Sequence, residues 1–167
     1  MVADRICRSC PDVERMKYLL HFLTITKHKF CVLIECFRRG LYWQGIIHDL
    51  SKYSPVEFLT SAKYFQGNKT PIGAEKSEKG YSRAWLHHKG HNPHHWEYWV
   101  DWRNGEELLC PIPDRYILEM LCDMIGAGKA YGTNNPYKYF LDHKDIIKME
   151  KKSKNKLEQL LKTYRSN

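Results

Sequence analysis

Five of the chain's nine histidines fall between residues 87 and 95: His87, His88, His91, His94 and His95. Trp85, Trp96, Tyr98 and Trp99 surround them. Imidazole binds zinc, iron, manganese, nickel and copper, and a coordination shell requires crowding of this kind. A second concentration is His48-Asp49, set in the apolar run Gly45-Ile46-Ile47-His48-Asp49-Leu50. A carboxylate buried without a partner is costly or shifts its pKa, so Asp49 needs a metal or a cation. Asp123 repeats the pattern within Met120-Leu121-Cys122-Asp123-Met124-Ile125, and Gly126 and Gly128 permit close approach behind it. His28, ahead of the apolar run from Phe30 to Ile34, completes the set.

The elements that must position these residues are helical. Apolar spacing predicts a helix from Pro11-Asp12 to about Arg39, stopped by Gly40, and a second from Leu41 to about Tyr53 that carries His48-Asp49 at its middle. Ser54 and Glu57 predict a capping box opening a third helix. A fourth lies within Glu75 to Lys89. Asn92-Pro93 predicts the start of another, so that His87/His88 end one helix and His94/His95 begin the next, with Lys89-Gly90 as the turn between. Asp114 to Tyr131 is helical, Asn135-Pro136 opens a further segment, and the Lys-rich stretch from 144 to 167 predicts a basic amphipathic surface helix. No alternating run is long enough to argue for a sheet. The expectation is an all-α, single-domain bundle spanning residues 1–167.

Composition fits a globular domain: 43% hydrophobic, 28% charged. The net charge of +8 favours anionic partners, although much of the excess lies in the carboxy-terminal stretch and does not by itself identify a nucleic-acid binder. No apolar run approaches the ~20 residues of a membrane span, and the amino terminus lacks the order of a secretory signal. Cys7 and Cys10 form a lone CxxC without the second pair of a zinc knuckle, and Cys31, Cys36 and Cys122 read as buried thiols. A reducing cytoplasmic setting is expected, the host's if the source is a phage.

The order His28, His48-Asp49, a histidine cluster and Asp123 resembles the HD superfamily of metal-dependent phosphohydrolases, over about residues 21 to 131. His48-Asp49-Leu50-Ser51-Lys52 resembles the HDxxK form of its HD-GYP phosphodiesterase branch, as do His87-His88, Ile112-Pro113 and Asp123, though the GYP tripeptide is absent. The strings HDLSKYSPVEF and AWLHHKGHNPHHWEYW are closer to a phage and bacterial family classed as a domain of unknown function. The resemblance implies an HD-like bundle and a hydrolase acting on a phosphate ester or diester, with a nucleotide, a small anionic substrate, as the expectation. It also implies one or two divalent ions (Mn, Fe, Zn, Ni, Co or Mg), with Asp49 as the bridge if there are two.

The expected metal ligands are His28, His48, Asp49, His88, His94 and Asp123. Asp49, Lys52, His87, His91 and His95 are the expected catalytic residues. Lys52, Arg83, Lys89 and Lys129 are the candidate phosphate contacts. Glu119 shares a face with Asp123 as either a support for the site or a plain ion pair. His21 reads as a hydrogen-bonded core residue, His143 as solvated, and Trp85, Trp96 and Trp99 as core. Two other readings keep the residues: a di-iron oxygenase of the same fold, and a non-enzymatic metal protein that binds nucleic acid or a partner protein. Oligomeric state is open.

Overall fold

A computed structural model describes residues 11–67, 70–132 and 135–165; Cys7 and Cys10 lie outside them. Two helices form its axis: α1 (Pro11–Arg38) and α6 (Asp114–Tyr131). Around them stand α2 (Tyr42–Ile47), α3 (Pro55–Lys63), α4 (Pro71–Lys79), α5 (Arg83–His91), α7 (Pro136–His143) and α8 (Lys151–Arg165). The all-α expectation is met, with one small exception described below.

α1 packs more extensively on α6 than any other pair of elements does. A Cβ added at Gly126 would fall 2.4 Å from Val32 Cγ2 and 3.0 Å from the Val32 amide nitrogen, so only glycine allows this approach. The larger core cluster includes Ile117, Leu121, Ile125, Phe140, Leu157 and Leu161, and joins α6, α7 and α8. The carboxy-terminal helix therefore begins at Lys151 rather than 144, and it is not simply a surface helix: Leu157 and Leu161 are fully buried while its lysines face outward. α1 is apolar on its outer side as well, where Met16, Leu19, Leu23 and Phe30 are exposed.

Local chemistry explains most boundaries. Ser54 accepts a hydrogen bond from the Glu57 amide at 3.4 Å with Pro55 in the first turn, and Asn135 accepts one from the Lys138 amide at 2.8 Å. The expected helix over 75–89 is two helices, because Gly80 takes φ 80 and ends α4 before Ser82 caps α5. Asn92 closes α5 instead of opening a new helix: its amide donates to the His88 carbonyl at 2.7 Å and to Ser51 Oγ at 2.8 Å. Lys89 and Gly90 thus lie inside α5, and His94-His95 lie in irregular chain before a 3-10 turn over Trp96–Trp99.

A two-stranded antiparallel hairpin follows, β1 (Val100–Arg103) with β2 (Glu106–Leu109), pairing Val100 with Leu109 and Arg103 with Glu106. Its turn residues Asn104 and Gly105 both have positive φ, 53° and 84°, as a type I′ turn demands. The hydrophobic period is too short there to reveal strands, but the Asn-Gly pair is itself a hairpin signal.

Candidate metal centre

The expected helix from Leu41 to Tyr53 breaks where the chemistry is. α2 ends at Ile47, His48 leaves the helical conformation at φ -47 and ψ 127, and Asp49 adopts the left-handed conformation at φ 54 before a 3-10 turn over Leu50–Tyr53. In a continuous helix, neighbouring side chains would diverge by about 100°. With the break, His48 Nε2 and Asp49 Oδ2 converge to 3.3 Å. Lys29 of α1 supports the break by donating to the carbonyls of Ile46 and His48, at 2.8 and 2.7 Å, which the lost helical turn leaves free. Left-handed backbone at a non-glycine residue is a strain that functional sites retain.

Asp49 is buried, and its two oxygens face different partners. Oδ2 lies 3.2 Å from His28 Nε2 and 3.3 Å from His48 Nε2; Asp123 Oδ1 completes that group, 3.1 Å from His28 Nε2 and 3.6 Å from His48 Nε2. Oδ1 lies 3.4 Å from both His88 Nε2 and His94 Nε2, and His95 Nε2 is 2.9 Å from His88 Nε2. Within each set of four, the ligand-type atoms lie within 4.8 Å of one another. Ligands about 2.0–2.1 Å from a tetrahedral ion stand roughly 3.3 Å apart, close to these separations. His48 Nε2, Asp49 Oδ1 and His94 Nε2 are buried with no hydrogen-bond partner, although the groups around them are polar. Orphaned lone pairs pointing at one another are what a cation would satisfy.

Two carboxylates hold four of the imidazoles from behind. Glu119 Oε1 is 3.0 Å from His48 Nδ1 and 3.2 Å from His94 Nδ1, so one acid on α6 orients one ring in each group. Glu57 Oε2 is 2.8 Å from His88 Nδ1 and Oε1 is 2.7 Å from His87 Nδ1. A carboxylate on the outer ring nitrogen fixes the tautomer that leaves Nε2 free to ligate. Glu119 thus takes the supporting role. Glu57 was legible only as half of a capping box, and its carboxylate serves the histidines instead.

The electrostatics match. Burial opposes the charged form of His48, but Asp49, Asp123 and Glu119 outweigh it and raise its pKa well above the usual range. Burial likewise works against the Asp49 anion, yet His48, Lys52 and His88 hold its carboxyl well below the ordinary value. Asp123 is lowered in the same way, with His28 and His48 overcoming burial. His95 goes down, through burial and then the neighbouring His94 and His88. Without a cation, protons shared among rings and carboxylates balance the charge; bound ions would displace them.

The centre opens on one side into a cavity of about 380 Å³, whose wall includes His28, His88, His95, Asp123 and Lys52. Lys52 Nζ is 2.5 Å from Asp49 Oδ2, which raises its pKa despite burial. Several expectations need correction here. His95, expected as a catalytic group, has its ring nitrogen among the ligand-type atoms of the second set. His87 is tied to Glu57, and His91 is exposed, stacked on His87 at 4.0 Å with Nδ1 against the His87 carbonyl. Neither lines the cavity, and nor do Arg83, Lys89 or Lys129. Lys129 donates to Glu35 at 2.6 Å, a carboxylate that also holds Arg38 and Arg39. Trp85 lines the cavity, whereas Trp96 and Trp99 pack on the core as expected.

No helix among the described residues is long and apolar enough to cross a membrane. Neither a curated protein nor a solved structure matches the chain. Residues 17–163, which include every side chain of the two groups that could hold an ion, match the model of a family of unknown function, DUF5662, and the chain belongs to that family.

Proposed function

We propose that the protein is a metal-dependent hydrolase of phosphate esters, with ions held by His28, His48, Asp49 and Asp123 on one side and by Asp49, His88, His94 and His95 on the other. The observation that carries this reading is the division of Asp49, one oxygen toward each group, beside an open cavity. A purely structural ion would be closed off by protein ligands, whereas catalytic sites keep an open side.

When bound, divalent ions here would supply Lewis acidity, making a water more acidic and offsetting phosphoryl charge. The chain's own residues do the rest. Lys52, held against Asp49 with part of its side chain accessible, presents a fixed positive charge to a phosphoryl oxygen. Glu119 and Glu57 keep His48, His94 and His88 in one orientation, so no reorganisation is needed during the reaction. The ester P–O bond breaks as water oxygen bonds to phosphorus, and the protons of that water end on phosphate and on the departing alcohol.

Elemental analysis of untagged protein and a panel of phosphomonoesters and diesters test the reading. Wild type should carry one or two ions per chain and turn over at least one ester; His48→Ala should lose metal and turnover together. Turnover undiminished in metal-free protein would overturn the proposal. So would iron absorption bands with oxygen consumption and no phosphate release, the signature of an oxygenase.

A further inference from the structure

A helix that serves one core needs one apolar stripe, and α1 carries two. His21, Ile25, His28 and Val32 lie on its buried side. Met16, Leu19, Leu23, Phe30, Ile34 and Phe37 lie on the opposite side, within about 60° of one another around the helix, and are 38–61% exposed. They follow one another in steps of three, four, seven, four and three residues, the spacing of a coiled-coil seam. Thr26 and Lys27 fill the step of seven, and both turn their polar ends into their own chain. Thr26 Oγ1 is 3.0 Å from the Tyr53 hydroxyl, and Lys27 Nζ donates to the Ala130 carbonyl at 3.2 Å. The seam continues onto α2, where the Tyr42 ring meets Phe37 edge-on at 5.2 Å and Ile46 lies one turn further along the same face. Both are at least half exposed.

We propose that this face is a homodimer interface, in which α1 pairs antiparallel with α1 of a second copy. Area supports it. The side chains of the seam, with Tyr42 and Ile46, leave roughly 900 Å² uncovered, against ~300–600 Å² for the largest patch on an ordinary monomer and ~800 Å² per partner in a standard interface. Charge selects the partner and its direction. Asp12 is exposed on the seam's side at its start. At its other end Glu35 is outnumbered by the three cations bonded to it, Arg38, Arg39 and Lys129, and the Arg38 side chain is exposed. A face with an acid at one end and a cation excess at the other complements itself when turned about a twofold axis. The register that sets Asp12 beside Arg38 of the second copy also sets Met16 against its Ile34 and Leu19 against its Phe30. Parallel pairing would put acid on acid and cation on cation. The seam faces away from His28 and the candidate metal centre, so the interface does not depend on the hydrolase reading.

Sedimentation velocity of the full chain at micromolar concentration, with no ion or substrate added, tests this. Wild type should sediment at twice the chain mass of 19.9 kDa. Leu23→Glu combined with Phe30→Glu changes two exposed positions outside the protomer's core. That variant should sediment as a monomer with unchanged helical circular dichroism. Asp12→Arg and Arg38→Asp should each weaken dimerisation about 3- to 10-fold, the scale of two exposed ion pairs per dimer, and combining them should restore most of the loss. A monomeric wild type would overturn the proposal, including one that instead co-sediments with phosphatidylglycerol vesicles, since the face would then serve a membrane surface. A dimer that survives the double glutamate variant would overturn it as well. A charge swap that dimerises no better than its single variants would overturn the antiparallel pairing.

Discussion

The two groups that could hold an ion, His28, His48, Asp49 and Asp123 on one side and Asp49, His88, His94 and His95 on the other, share one carboxylate and differ in how they are built. The first draws His28 and Asp123 from α1 and α6, the long helices of the bundle axis, and its geometry is set by their close packing at Gly126 and Val32. The second takes only His88 from a regular element; His94 and His95 come from irregular chain, held by Asn92 and by the Trp99 indole donating to the Pro93 carbonyl at 2.7 Å. One group is rigid because the core is rigid, the other because side chains tie down a loop. Only the second presents two of its histidines, His88 and His95, to the cavity.

Four experiments would break or sharpen that contrast. Asp49→Ala removes the shared ligand, so both ions should be lost by elemental analysis and turnover should fall by about 10³-fold or more, several kcal/mol at about 1.36 kcal/mol per tenfold. Full occupancy in this variant would show that the groups do not depend on the bridge. Next in size is the pair His28→Ala and His95→Ala. Each should lower the ion count of a doubly loaded protein from two to one. Loss of both ions from either variant would make the two groups one cooperative site.

Glu119→Gln keeps the size of the acid that touches His48 and His94 but removes its charge. Metal affinity should fall about 10- to 100-fold at both positions; an effect confined to one would contradict the shared support. The smallest effect should come from Gly126→Ala, which forces α1 away from α6 at a cost of about 1–3 kcal/mol in thermal or denaturant unfolding. It should weaken the ion at His28 and Asp123 and spare the one at His88, His94 and His95. Equal weakening would mean that the loop group also relies on the helix packing.

The legible parts of this site are those that chemistry marks locally. His28, His48, Asp49 and Asp123 stand out as polar groups in apolar helices, and the structure brings all four together. His88 and His94 were identifiable by type, but the order of ligand and neighbour within each tandem pair depended on where α5 stops, and His95, expected as a catalytic group, lies among the ligand-type atoms. Arg83, Lys89 and Lys129 were chosen for charge alone, and charge does not say which way a surface helix faces. Glu57 carried no signal beyond its capping position, because its partners are 30 and 31 residues away.

From the chain's residues alone came the helical class, most helix starts, and the kinds of atoms available to an ion. These follow from short-range causes: apolar spacing, caps, and the cost of burying charge. Which oxygen of Asp49 meets which imidazole was decided only by the fold. The left-handed turn at Asp49 is strained locally and persists because Lys29, from another helix, takes up the carbonyls it frees. A pattern of neighbours in sequence cannot contain that interaction, since its two halves meet only after α1 and α2 have packed.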